Sequence, residues 1–319
     1  MKLTRRAVTT GLILSMGSFQ SHAQSQRQIN FIVPFPPGGS VDALARLIQE
    51  GLQQKLHAPV IIENRPGANG AIGAAAVAKA LPDGTTLMAT FDSHSTIPAL
   101  LDKPPLNIET DLVPVMLVGK APYIVATSPQ KPFKNFADVV AAAKVKPVTY
   151  GTSGPGSSGH LAMVMLGRKA NVPLDHVPYK GAGPAINDVM GGHVDLICAS
   201  VAALLPQIEA GTLRCIMQMG PERLKALPDA QTTKEAGFPD FLAEAWWGIF
   251  APKGTPEPIV KQTYDALREV ISSPIVSQRL RETQQMQLLM QGPQEFATFF
   301  AKEVIEWGKV VRDNNIKGG

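Results

Sequence analysis

Three Gly-rich turns, each opening directly into a helical pattern, hold most of this chain's capacity for chemistry. The first is Pro34-Phe35-Pro36-Pro37-Gly38-Gly39-Ser40. Its prolines stiffen the loop and remove backbone donors, while Gly38 and Gly39 admit conformations closed to other residues. The second, Glu63-Asn64-Arg65-Pro66-Gly67-Ala68-Asn69-Gly70, leads into a helix of small residues that can lie close to its neighbours. The third runs from Gly151 to His160 and gathers Thr152, Ser153, Ser157 and Ser158. The first N–H groups of each helix lack intrahelical partners and sit at the positive end of the macrodipole. Several such starts facing one cleft would bind a carboxylate or phosphate.

The same residues allow other chemistries. Residues 154–159 fit GxGxxG after a strand, with Asp175 about 20 positions on, as in a dinucleotide site. The position of this segment mid-chain, behind an export leader, argues against nicotinamide chemistry. Ser157, Ser158 and His160 in one loop suggest a secreted Ser/His hydrolase of the α/β class. No frame fits the GxSxG elbow, however, and no acid partner is evident for His160 or His94. Arg65 either holds an anion or pairs with Glu63. Asp195 either caps or pairs, whereas Ala199 and Ser200, at a strand end, are placed to line a cleft. The six histidines are dispersed and no CxxC or HxxxH spacing occurs, so no metal and no cofactor is expected. Cys198 and Cys215 lie in apolar runs that suit buried thiols, and pairing between them stays open.

These turns need elements to hold them. Strand-like runs at 29–33, 60–63, 86–90, 113–118, 123–127, 148–150, 172–177, 194–199, 214–219 and 247–251 alternate with helical patterns. Such βαβα alternation predicts parallel sheets covered by helices, with ligands at the carboxyl ends of strands. The pattern changes character at 121–132 and again at 246–256, where a helix-only tail begins (259–272, 275–284, 293–313). If that tail packs on the first lobe, the chain crosses twice between lobes, as a ligand-enclosing clamp requires. Trp246 and Trp247, at the second crossover, are read as packing residues.

Composition and the N-terminus narrow the setting. The 319 residues are 45% hydrophobic and 18% charged, with 28 Gly and 27 Pro, enough for a two-domain globular protein. The formal charge of +4 is scattered and aromatics reach only 6%, so nucleic acid is not an expected partner. Lys2, Arg5 and Arg6 precede a short apolar run and Ser21-His22-Ala23, a signal peptide over residues 1–23. Whether Arg5-Arg6 marks twin-arginine or general export is left open.

Taken together, PFPPGGSVD, ENRPGANG, the Pro82–Gly84 turn before a strand and Ser-His loop, VPYKGAGPAINDVMGGHVD and WWGIFAPKGTP resemble the solute-binding proteins of tripartite tricarboxylate transporters, the Bug family. The likeness runs from about Ile29 to the C-terminus. It implies a type II periplasmic binding protein fold, α/β, with two α/β lobes joined by two crossing strands. The expected division is 24–123 plus 248–319 for lobe 1 and 124–247 for lobe 2. It further implies a monomer in the periplasm that captures a small organic carboxylate or dicarboxylate, aromatic acids included, and hands it to membrane permease subunits. Carried over, Phe35, Gly38, Gly39 and Ser40 would hold the proximal carboxylate, with Asn69, His94, Ser153, Ser157 and Ser158 completing the pocket. Where many members of that family have an Asp, this chain has Ala199, which argues for a plain acid over an amino acid.

Overall fold

The computed structural model describes residues 28–317. The signal peptide read over residues 1–23 lies outside them. In chain order the elements are β1 (Ile29–Val33), α1 (Ser40–Leu56), β2 (Val60–Asn64), a 3₁₀ turn (Ala68–Gly70), α2 (Ala71–Ala78), β3 (Thr86–Phe91), a second 3₁₀ turn (Asp92–Thr96), α3 (Ile97–Leu100) and β4 (Leu112–Thr127). There follow α4 (Phe136–Ala143), β5 (Val148–Gly151), α5 (Ser158–Ala170), β6 (Leu174–Val177), α6 (Ala182–Met190), β7 (Leu196–Ser200), α7 (Val201–Glu209) and β8 (Arg214–Gln218). The chain ends with β9 (Glu244–Pro252), α8 (Glu257–Ser272), α9 (Pro274–Thr283), β10 (Gln287–Gln291) and α10 (Pro293–Asp313).

Local sequence explains these elements. In α1, Val41, Leu44, Ala45, Ile48 and Leu52 recur at helical spacing and are buried as one stripe. α4 starts from a capping box in which Asn135 and Asp138 satisfy each other's backbone donors. Ser157 caps α5 by accepting from the His160 N–H, and Asn171 ends that helix in the left-handed conformation.

The strands run in the order β2-β1-β3-β9-β4-β7-β5-β6, with β8 and β10 also paired to β4. β1 is parallel to β2 and β3, and β5 is parallel to β6 and β7. Between these parallel groups the sheet is antiparallel: β9 pairs with β3 and β4, and β4 pairs with β7 and β8. The expected parallel sheets are therefore mixed in part, because the two connecting strands run against their neighbours.

The expected strands at 113–118 and 123–127 are one strand of 16 residues, β4. At about 3.3 Å per residue it spans about 50 Å, enough to serve both lobes. Up to Pro122 it pairs with β9, from Leu112↔Pro252 to Pro122↔Glu244, and from Tyr123 onward it pairs with β7 and β8. β4 and β9 are thus the two strands that join the lobes.

The helix-only tail is a second correction, since β10 interrupts it and pairs antiparallel with β4 near Gly119 and Lys120. Gly119 makes this possible, because a Cβ there would lie 2.4 Å from the Gln287 carbonyl oxygen. α8 packs on α1, where Gly51 leaves room for Val270 and Lys55 pairs with Glu269. Phe296 and Phe300 of α10 close a core with Trp246 and Phe250. Cys198 and Cys215 are both free thiols, so the pairing left open does not occur in this structure. Among the described residues no helix is long and apolar enough to cross a membrane.

Candidate functional site

The first Gly-rich loop is held from beneath by Asp42, a residue whose role the sequence reading missed. Its carboxylate accepts from the Gly38 N–H (3.0 Å), Arg46 Nε (2.9 Å) and Asn64 Nδ2 (3.0 Å). Burial pushes the Asp42 carboxyl up, but the donors of Arg46, Gly38 and Asn64 outweigh it and keep the group below its ordinary value. Asn64 also donates to the Phe35 carbonyl (3.1 Å), tying the loop to β2. The Gly38 N–H is therefore engaged inside the loop, whereas the first N–H groups of α1 have no intrahelical partner. Ser40 stands at that start, and its hydroxyl accepts from Trp247 Nε1 at 3.3 Å. A joining strand thereby packs directly behind the loop. Arg65 forms two hydrogen bonds to Glu63 (2.6 and 3.0 Å), a surface pair rather than an anion site.

His94 occupies the middle of this half of the site. It is fully buried, with Phe35 edge-on at 5.9 Å and Gly70 packed so close that a Cβ would meet its Cε1 at 2.7 Å. Nδ1 bonds Thr90 Oγ1, whereas Nε2 has no partner. Burial drives the ring down to about 3, against a hydrogen bond to the Phe91 backbone, so His94 is neutral at physiological pH. Asn69 sits in the left-handed conformation (φ 53°) and donates from Nδ2 to the Pro155 carbonyl at 3.3 Å, linking the two lobes. Thr96 Oγ1 makes a second link to the Gly156 carbonyl at 3.3 Å.

The opposite wall is the turn 151–160. Ser157 Oγ donates to the Gly154 carbonyl (2.8 Å), and the Gly156 N–H donates to His160 Nδ1 (3.0 Å). His160 stacks on His176 with centroids 3.9 Å apart, and His176 Nε2 lies 2.8 Å from Thr152 Oγ1. Burial lowers both rings to about 4, with the neighbouring His176 adding to the effect on His160. This neutral stack props the loop. Ser158 is buried and its hydroxyl has no hydrogen bond. Ser153 stands apart, exposed, its carbonyl accepting from the Gly181 N–H. Ala199 and Ser200 are buried at the end of β7 beside β4, in register with Ile124 and Tyr123. Asp195 pairs with Lys131 (2.7 Å) and accepts from Thr149, which makes it part of the framework.

Asn69 and Thr96, beside Phe35 and His94, thus reach Pro155 and Gly156, next to Ser157 and Ser158, across the lobe boundary. Two further groups join them: Asp92 and Ser93, buried, each with an unpartnered oxygen. Tyr123 of β4 donates to Asp92 Oδ2 at 2.9 Å. Burial raises the Asp92 carboxyl to about 8, and the charge of Glu303 on α10 adds to this against the Tyr123 hydroxyl. The Ser158 hydroxyl lies near both groups without reaching hydrogen-bond geometry. The sequence marks the loop 91–95 after a strand as a candidate surface but not the burial of Asp92, which is set by partners far along the chain.

A family model described as the tripartite tricarboxylate transporter family receptor matches residues 44–316. The chain belongs to this receptor family. Protein BugT of Bordetella pertussis is 32% identical over 325 residues, which cover 99% of each chain. Among solved structures, MatC from Rhodopseudomonas palustris with bound malate is 31% identical, with a TM-score of 0.80 over 89% of this chain and 98% of that one. R. palustris Rpa4515 with adipate is 30% identical, with a TM-score of 0.84 over 91% and 98%. Membership makes the chain a solute receptor rather than an enzyme, and the hydrolase reading falls with it. The geometry agrees: His160 Nδ1 is occupied by the Gly156 N–H and the Ser158 hydroxyl has no hydrogen-bonded base.

Proposed function

We propose that this chain is a periplasmic receptor that closes its two lobes around a small organic dicarboxylate and presents it, as a monomer, to the membrane permease subunits of a tripartite tricarboxylate transporter. The observation that carries this reading is the set of buried polar groups left without partners where the lobes meet. His94 Nε2, Ser158 Oγ, Ser93 Oγ and Asp92 Oδ1 are all enclosed and unsatisfied. Unpaired buried polar groups are costly, roughly 1–3 kcal/mol each, so the fold keeps them for something that fills them. A ligand with oxygens at both ends suits a site that also presents the free N–H groups of α1. The malate and adipate of the related structures are of that chemical class.

The switch of partners along β4 at Pro122 and Tyr123 supports a division into 24–123 plus 248–319 and 124–247, with bending at that point. Phe35, half-buried and edge-on to His94, offers an apolar wall that would accept the methylenes of an aliphatic acid or the ring of an aromatic one. Ala199 leaves β7 without a charge for a ligand ammonium, which favours plain acids. A thermal-shift screen of di-, tri- and aromatic carboxylates, amino acids, sugars and cations tests the proposal. Saturating dicarboxylate at about 100 times its dissociation constant stabilises the folded state by about 2.7 kcal/mol and raises the melting temperature accordingly. Stabilisation by a sugar or a cation, with none by any carboxylate, would sink it.

A further inference from the structure

Asp92 is the one acid in the enclosed cluster, and it follows β3 at the carboxyl end of the sheet, where ligands of α/β folds gather. Its Oδ2 accepts from Tyr123, so the remaining oxygen, Oδ1, is the one left buried without a partner. The register of Tyr123 opposite Ser200 sets this carboxyl beside the end of β7, where Ala199 supplies no polar atom. The buried cluster therefore contains a carboxyl, but it comes from the opposite side of the β4 switch point.

We propose that Asp92 is the specificity-determining residue of the cleft: its Oδ1, carrying the acid proton, donates a hydrogen bond to a carboxylate or hydroxyl oxygen of the captured ligand, so that the receptor selects oxygen acceptors over ammonium groups. The inference rests on the carboxylate-receptor reading above. With Oδ2 filled by the Tyr123 hydroxyl, the proton of the neutral acid resides on Oδ1, and a donor without an acceptor results. The surroundings keep it neutral. Burial raises the carboxyl to about 8, and the groups facing it are Tyr123 from β4, Ser158 from α5, Glu303 from α10, and Ser93 on its own turn. Tyr123 itself is driven well above its ordinary value, chiefly by burial, and does not ionise in the working range. Among these neighbours none is a cation that would ionise Asp92. A ligand carboxylate gains from a neutral donor and is repelled once that donor becomes an anion, whereas an ammonium gains only from the anion.

The test is calorimetry of malate, adipate and aspartate between pH 6.5 and 9, on the wild-type receptor and on Asp92→Asn. Across this window His94, His160 and His176 stay neutral. The wild type is expected to bind malate or adipate about tenfold more weakly at pH 9 than at pH 6.5, because only the protonated fraction of Asp92 binds. At pH 8 its binding enthalpy varies with the ionisation heat of the buffer, reporting proton uptake. In Asp92→Asn, whose amide donates but cannot ionise, both the pH dependence and the proton uptake vanish. A wild-type affinity that is flat over this range, a fall that persists in Asp92→Asn, or aspartate outbinding malate overturns the assignment while leaving the receptor reading intact. Absence of binding by any dicarboxylate at every pH removes the receptor reading and this inference with it. The wild-type profile alone decides the matter should the variant fold poorly.

Discussion

At the residue scale, buried ionisable groups give the site a pH dependence with two opposed signs. The folded value of Asp92 is raised above its unfolded one, so the unfolded chain loses this proton near pH 4 while the folded chain keeps it to about pH 8. Stability from this group is present below pH 4 and is lost as pH climbs to 8. Asp92→Asn without ligand should therefore gain on wild type by up to about 5 kcal/mol between pH 4 and pH 8, read as a melting-temperature difference that grows with pH and is gone near pH 4. A variant less stable than wild type at pH 8 would mean an ionised, paired Asp92. The histidine stack has the other sign. His160 and His176 have folded values near 4, below the unfolded value, so stability present above about pH 6.5 is lost as pH falls through 4. His176→Phe, which keeps a ring against His160, should lose less stability between pH 7 and 4.5 in urea unfolding. His176 is partly exposed, so the difference should stay under about 1 kcal/mol. A loss equal to that of wild type contradicts this reading. The sequence marks His94, Ser157 and Ser158 as candidates by type and loop position, whereas it does not reveal the burial of Asp92. What makes it special is enclosure by Tyr123 and Ser158, and no local pattern records that.

At the element scale, the loops that face each other are shaped by glycine. Gly156 has φ 71°, and a Cβ there would meet both Leu100 Cδ atoms at 2.4 Å across the lobe boundary. Gly156→Ala should thus hold the lobes apart, weakening carboxylate binding at least tenfold by calorimetry, a change of about 1.4 kcal/mol or more. Unchanged affinity would show that the Leu100 contact plays no part in closure. The parallel strands and most helices were legible because β-branched runs and 3.6-residue stripes are local signals. Two features were not. Pro122 reads as a break, yet β4 continues through it because its partners change there from β9 to β7 and β8. β10 reads as part of a helical tail, yet it forms a strand because Gly119 of β4 admits its backbone. Both outcomes depend on contacts between segments far apart in sequence.

At the scale of the whole molecule, the long strand β4 links the two parallel groups of strands in one sheet, and a second strand, β9, runs beside it. The enclosed, unsatisfied cluster lies where the lobes meet, next to the joining strand through Tyr123. In the proposed function, closing on a ligand that fills these groups would couple capture to the shape a permease recognises. Charge-assisted hydrogen bonds of roughly 1.5–3 kcal/mol each, less the ordering costs, are consistent with micromolar affinity and with release. The most direct measurement is a calorimetric titration of the exported chain with malate and adipate at pH 7. The account predicts one site per chain and a dissociation constant on the order of micromolar for at least one dicarboxylate. Heat from a sugar or a cation, with none from any carboxylate, would contradict it.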